Sequence, residues 1–338
     1  MTTHQASRRS PAGEFPRYDQ LFDRPDRLRG TAWGLWGPAD QLGTLNHLTP
    51  ARVLEARQSI LTGEVIPLNL PLTEFEPPII AHRGSIQHTV FGLNDFHRDD
   101  RIDNLFLQAS TQIDGLRHFG HPDHGFYNDA DPNGLVAGKP GLGIQAVAER
   151  GIAGRGLLID VGAYRDAVGR PIDQATNEQI PVADLDATLE WQGSTIRPGD
   201  IIMIRTGWLK HIRADANRSD GALRSPGLSQ TEESAAWLWD HQVAVAASDN
   251  IALEAWPATD SKLTVQAELS GAMPASSHTG MLHRILIPLL GLSIGELWAL
   301  DELAAACAAR RRYDVFLTAQ PLNLLGGVGS PANAMAIL

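Results

Sequence analysis

Three apolar runs constrain the fold of this chain. Gly156-Leu157-Leu158-Ile159-Asp160-Val161, Ile201-Ile202-Met203-Ile204-Arg205 and Val243-Ala244-Val245-Ala246-Ala247 are short, almost continuous and bounded by turn or polar residues. Runs of that length without polar alternation read as strands buried on both faces, which requires helices packed over the sheet. Helical patterns occur at 142–150, at 184–190 and at 231–241, the last behind a Ser229 cap. Thr49-Pro50 opens another, with Thr as cap and Pro in the first turn, and Gly63 closes it. Strands are also expected at 65–70, at 105–107 and at 313–320, and long helical regions at about 279–290 and 296–311. The order predicts one α/β domain over 41–338. Residues 1–40 precede it; the first thirty are rich in Arg, Asp and Pro without a period and read as a surface arm that can lie on a partner subunit.

Charge narrows the function. Lys and Arg number 28 against 39 Asp and Glu, a formal net charge of −11. An acidic surface argues against a nucleic-acid backbone and against anionic membranes as partners. Ile285 to Gly295 is interrupted by Pro288 and Ser293 and falls far short of the ~20 residues that cross a bilayer. The first twenty residues lack the apolar core of a signal peptide, so the expectation is a cytoplasmic protein acting on a small molecule. The single cysteine, Cys307, lies in an alanine-rich run, reads as a buried thiol and excludes an intrachain disulfide.

Several familiar motifs fail. There is no phosphate loop and no HExxH helix. Gly326-Gly327-Val328-Gly329 stands too near the C-terminus for the βαβ unit of a dinucleotide site. Gly291-Leu292-Ser293-Ile294-Gly295 matches a nucleophile elbow, but that fold places its His after the Ser, and the last histidine is His283. Ser293 is expected simply to start a helix.

The informative stretch is Ser110 to His124, with Asp114, His118, His121, Asp123 and His124 among the turn formers Gly115, Gly120 and Pro122. Three histidines and two aspartates within eleven residues of a loop favour ligation over ordinary surface hydrogen bonding. The segment resembles the signature H-x-G-T-H-x-D-x-P-x-H of the cyclase-like metal-dependent hydrolases, the family of kynurenine formamidase, isatin hydrolase and trans-dienelactone hydrolase. Laid on residues 108–118, the signature matches Thr111, Asp114 and His118. Gln108 and Gln112 stand where it has histidines, Ser110 where it has Gly and Leu116 where it has Pro. Gly199-Asp200 with Arg205-Thr206-Gly207-Trp208, His283 through Glu296, and Ala319 through Ala332 resemble three further family segments in the expected order.

The resemblance implies a single cyclase-like domain, a mixed β-sheet core flanked by helices, and a homo-oligomer. It implies a divalent metal, Zn or Mn, held by Asp114, His118, His283 and Glu296. Two carboxylates and two neutral imidazoles suit such an ion. The alternatives are a polar pocket that has lost its metal and a metal held in another way, with His121, His124 or His278. With the metal, activated water would attack the carbonyl of a cyclic or aromatic amide, imide or lactone. His118, where it is not a tight ligand, would move the proton, with Asp114 beside it. Gln108 and Gln112 would either donate to the carbonyl oxygen or merely replace the histidines' packing. Trp33, Trp36, Phe119, His121 and Tyr127 are candidate walls for the substrate. His97, His121, His124, His278 and Glu254, taken singly, read as surface hydrogen-bonding residues. The rival functions are an acid–base lyase or cyclase of the same fold and a metal-free binding protein.

Overall fold

The computed structural model describes residues 15–80, 82–214, 223–259, 261–274 and 278–338. In chain order its strands are β1 (Val65–Pro67), β2 (Gln87–Asn94), β3 (His97–Asp103), β4 (Gln112–Asp114), β5 (Ile152–Asp160) and β6 (Gln179–Ile180). They continue with β7 (Ile201–Arg205), β8 (Gly227–Leu228), β9 (Val245–Ser248), β10 (Ser293–Glu296), β11 (Asp314–Ala319), β12 (Gly329–Pro331) and β13 (Met335–Ile337). Nine of them form one sheet in the order β1-β13-β11-β5-β7-β9-β10-β4-β12. Its centre, β5-β7-β9-β10, is parallel, and every other pairing in it is antiparallel. This is the expected mixed sheet of a single α/β domain.

The three apolar runs supply three of its four strands, β5, β7 and β9. All of β9 and residues 156–160 of β5 are buried, as are Ile201 to Ile204 of β7. Helices Val182–Gln192, Glu232–Asp240 and Asp301–Arg310 lie among the connections and bury Leu185, Leu238 and Leu303. Asp160 ends β5 and caps the helix Val161–Ala167, its carboxylate accepting from the Ala163 N–H at 3.1 Å. Thr49 caps Pro50–Ala56 as expected.

Several boundaries depart from expectation. Thr231, not Ser229, caps Glu232–Asp240. The long helix expected at 279–290 shrinks to His283–Leu286, because Pro288 and the left-handed Gly291 (φ +70°) break the continuation. Ser293 starts β10 instead of a helix, since β9 and β4 claim both edges of that segment. The strand expected at 105–107 is irregular; the pairing in that region belongs to β2 and β3, a two-stranded hairpin outside the main sheet. From residue 15 onward, the segment expected as an arm packs on the chain's own body. Leu21 and Trp33 are buried, the Tyr18 N–H donates to Asp240 at 2.7 Å, and the Ala32 N–H donates to the Leu289 carbonyl at 2.7 Å. No helix among the described residues is long and apolar enough to cross a membrane.

Candidate metal centre

β4 builds one wall. Side chains alternate along a strand, so Gln112 and Asp114 share a face and Ile113 turns into the core. The register Ile294↔Asp114 and Glu296↔Gln112 sets Glu296 on the same face of β10. The pairing is locked from both sides: the Thr111 hydroxyl donates to the Leu297 carbonyl at 2.5 Å, and the Trp298 indole N–H donates to the Gln112 carbonyl at 2.9 Å. On the other side, Gly329 of β12 faces Asp114. A Cβ there would stand 3.1 Å from Gln108 Cγ and 3.3 Å from Asp114 Oδ1, so glycine leaves the space that Gln108 enters.

His118 follows in a turn closed by its own N–H on the Gly115 carbonyl at 3.0 Å. Arg117 pins that turn from beneath, donating to the carbonyls of Gly141 (2.8 Å), Val136 (3.0 Å), Lys139 (2.7 Å) and Gly326 (2.8 Å). His283 arrives from the other end of the chain on its short helix. Its Nδ1 lies 2.9 Å from Glu254 Oε2 and its N–H donates to Glu254 Oε1 at 3.3 Å. A carboxylate on Nδ1 fixes the ring tautomer and turns Nε2 inward.

These elements converge. Asp114 Oδ2 lies 3.8 Å from His283 Nε2 and 3.9 Å from His118 Nε2, and His283 Nε2 lies 3.2 Å from Glu296 Oε1. The Gln108 amide donates to Asp114 Oδ1 and stands 3.2 Å from His118 Nδ1, while the Gln112 amide donates to Glu296 Oε2. Asp114, His118 and His283 bring one ligand atom each within 4.8 Å of one another. Zinc-like ligands at about 2.1 Å from their ion stand about 3.4 Å apart, so the triad would draw in by up to about 1.4 Å around a cation. Asp114 Oδ2 and Gln112 Oε1 are buried without a hydrogen-bond partner. An orphaned carboxylate oxygen between two imidazoles is the strongest sign that the donor set fits a dication.

The electrostatics agree. Burial pushes the Asp114 carboxyl up, but His118, His283 and the Gln108 hydrogen bond outweigh it and hold the group below its usual range. Burial and then the Asp114 charge push Glu296 up to about 7. Burial pulls His283 down, yet Glu254, Asp114 and Glu296 around it raise it well above the ordinary histidine value. Burial depresses His118. The group holds excess negative charge that a proton on His283 or a bound cation neutralises.

Of the expected walls, Phe119 is beside the centre, its ring 5.0 Å from the rings of both His118 and His283. The structure does not bring the others to it. The Trp33 indole N–H is spent on the Pro288 carbonyl at 2.6 Å. Trp36 packs with Phe15, His47 and Trp239. Tyr127 is fully buried with its hydroxyl on Asp40 at 2.9 Å. Gly34 and Gly37 bridge each other in a tight turn, with Trp33 buried and Trp36 half-buried. His121 and His124 line a separate cavity of about 290 Å³ with Arg284 and Lys262.

Two residues of the site were not legible as such. Glu254, expected at the surface, is fully buried; its place in the apolar run Ile251 to Trp256 is the signal that could have found it. Arg83 donates to the Gln108 carbonyl and faces Glu296 and Asp114; burial pulls its guanidinium below the usual range while those two carboxylates oppose. Nothing local in His82-Arg83-Gly84 marks it.

Comparison with known proteins follows the same lines. The cyclase family model ("Putative cyclase") matches residues 65–255. A crystal structure of a novel cyclase superposes with a TM-score of 0.76 at 33% identity, covering 91% of this chain and 99% of its own. Isatin hydrolase A from Labrenzia aggregata, bound to benzyl benzoate, gives 0.56 at 16% identity over 81% of this chain and 93% of its own. Isatin hydrolase A from Ralstonia solanacearum gives 0.53 at 19% identity over 85% and 97%. At those identities the two hydrolases share the fold. Among curated proteins, none matches this chain.

Proposed function

The chain belongs to the cyclase family, and from that premise we propose that it is a metal-dependent hydrolase opening a cyclic or aromatic amide, imide or lactone. The observation that carries this reading is the orphaned Asp114 Oδ2, buried between His118 and His283 with Glu296 beside them. A divalent cation, zinc or manganese, held there would supply Lewis-acid chemistry, polarising a carbonyl and lowering the pKa of water.

The chain's own residues do the rest. Asp114, His118, His283 and Glu296 would hold the ion, and Glu254, on His283 Nδ1, leaves Nε2 as the nitrogen that faces it. His118, its side chain 23% exposed, has access to substrate, and where it is not a tight ligand it would move the proton toward the leaving atom. Gln108 and Gln112 spend their amide N–H groups on Asp114 and Glu296, so they orient carboxylates. Arg83, whose guanidinium has a further N–H edge beyond its bond to Gln108, donates to the developing oxyanion. Phe119 supports an aromatic ring of the substrate.

Elemental analysis of protein purified without added metal or chelator, followed by turnover of isatin-like, formamide and lactone probes, tests the reading. About one zinc or manganese per chain and hydrolysis of a probe class are expected. No ion after titration, with turnover unaffected by chelator, would overturn it.

A further inference from the structure

A groove of about 900 Å³ lies away from the centre, between the helix Pro50–Ala56 and the paired ends of β5 and β11. It sits at the N-terminal end of β5, whereas Glu296 stands at the C-terminal end of β10, a parallel strand three places along the sheet. Its volume is that of a small-molecule cleft. Leu48, Ile152 and Ala319 are buried in its walls, and Leu54 beside them is 64% exposed.

Arg150 is the one charged residue of the lining. Its guanidinium donates to the Gly151 carbonyl at 2.7 Å and to the Leu48 carbonyl, two of the five N–H bonds such a group offers. No carboxylate among the described residues lies within ion-pair distance of it, whereas Arg155, Arg165, Arg205 and Arg284 each meet one. Burial pulls the Arg150 guanidinium below its usual range, and no carboxylate opposes that pull. The terminal carbonyls of its own short helix, Gln145–Arg150, offset only about half a charge. The Thr318 hydroxyl in the same lining is buried without a hydrogen-bond partner. A half-buried cation without a counter-charge favours an anion beside it.

We infer that this groove binds a small amphipathic carboxylate, its head on Arg150 and its apolar body along Leu48, Val53, Leu54 and Ile152. The planar guanidinium fork matches the two oxygens of a carboxylate. Recessed apolar walls suit a narrow chain or a single ring. A membrane surface is the wrong partner, because the net charge of −11 repels anionic lipid.

Isothermal titration calorimetry of the full chain with octanoate, butyrate and octanol tests the proposal on wild type, Leu54→Glu and Arg150→Met. Octanoate is expected to bind wild type at least about tenfold tighter than butyrate, which lacks most of the apolar chain, and than octanol, which lacks the charge. Leu54→Glu sets a carboxylate in the groove and should weaken octanoate by at least about tenfold. That side chain is exposed, so the fold survives the change. Arg150→Met should bring octanoate down to the level of octanol; should it fail to fold for want of a donor to Leu48 and Gly151, Leu54→Glu decides. Equal binding of octanoate and octanol, equal binding by wild type and Leu54→Glu, or no saturable heat with octanoate overturns the proposal. Light scattering that finds wild type at the mass of two chains and Leu54→Glu at the mass of one also overturns it, since the groove would then be a contact between copies.

Discussion

Glu254→Gln removes one buried charge and preserves the side-chain volume. The amide oxygen can still accept from His283 Nδ1 at the 2.9 Å the carboxylate now occupies, so the ring keeps its orientation. What is lost is the electron donation that makes Nε2 a strong ligand. Changes of this kind weaken metal binding 10–100-fold, about 1.4–2.7 kcal/mol. A second effect has the opposite sign. Glu254 is the largest of the charged neighbours that hold a proton on His283, and a ligand must lose that proton before it binds. The variant therefore faces less competition from protons in acid. The ratio of variant to wild-type Kd is expected to reach its full 10–100-fold at alkaline pH and to shrink as pH falls. Chelator competition with zinc and with manganese at several pH values measures it. Equal affinities at alkaline pH would show that Glu254 does not serve the metal through His283.

Three other outcomes follow from the same geometry. Asp114→Ala and Glu296→Ala should each lose bound metal and turnover while the far-UV spectrum stays native; full metal occupancy in both would refute the ligand set. Arg83→Gln should leave metal content unchanged and lower kcat by about 10²–10³, the usual cost of an oxyanion donor, and an unaltered kcat would exclude that role. His47 is buried between Phe15 and Trp36, and burial depresses it to about 4. Its folded pKa lies below its unfolded value of about 6.5, so its contribution is complete above pH 6.5 and is lost as pH falls through 4. The gap is worth about 3 kcal/mol, and His47→Phe should flatten that part of a urea-denaturation series between pH 7 and 4; identical pH profiles would refute it.

What the sequence disclosed depended on how local its causes were. The parallel strands were legible because burial on both faces leaves an unbroken apolar run, as in Ile201 to Ile204. Asp114 and His118 were legible because a dense polar turn has few structural explanations. β10 was not, because Ser293-Ile294-Gly295-Glu296 is a strand only by virtue of β9 and β4 beside it. The Trp33–Trp36 pair misled because its glycines close a turn whose direction is set by the core behind it. Arg83 and Glu254 acquire meaning only through contacts with Gln108 and His283, far from them in the chain.

The ligand set also has an order in time. Gln112 and Glu296, paired across two strands, are separated by 184 positions, and His283 lies just before the latter. During synthesis the Asp114–His118 turn leaves the ribosome long before either partner exists. A nascent or truncated chain that ends ahead of residue 283 thus presents Asp114 and His118 without the later two residues of the proposed ligand set. An ion held there would also act as a fastener on the sheet, favouring the closed fold by about 4 kcal/mol at a thousandfold excess over its dissociation constant.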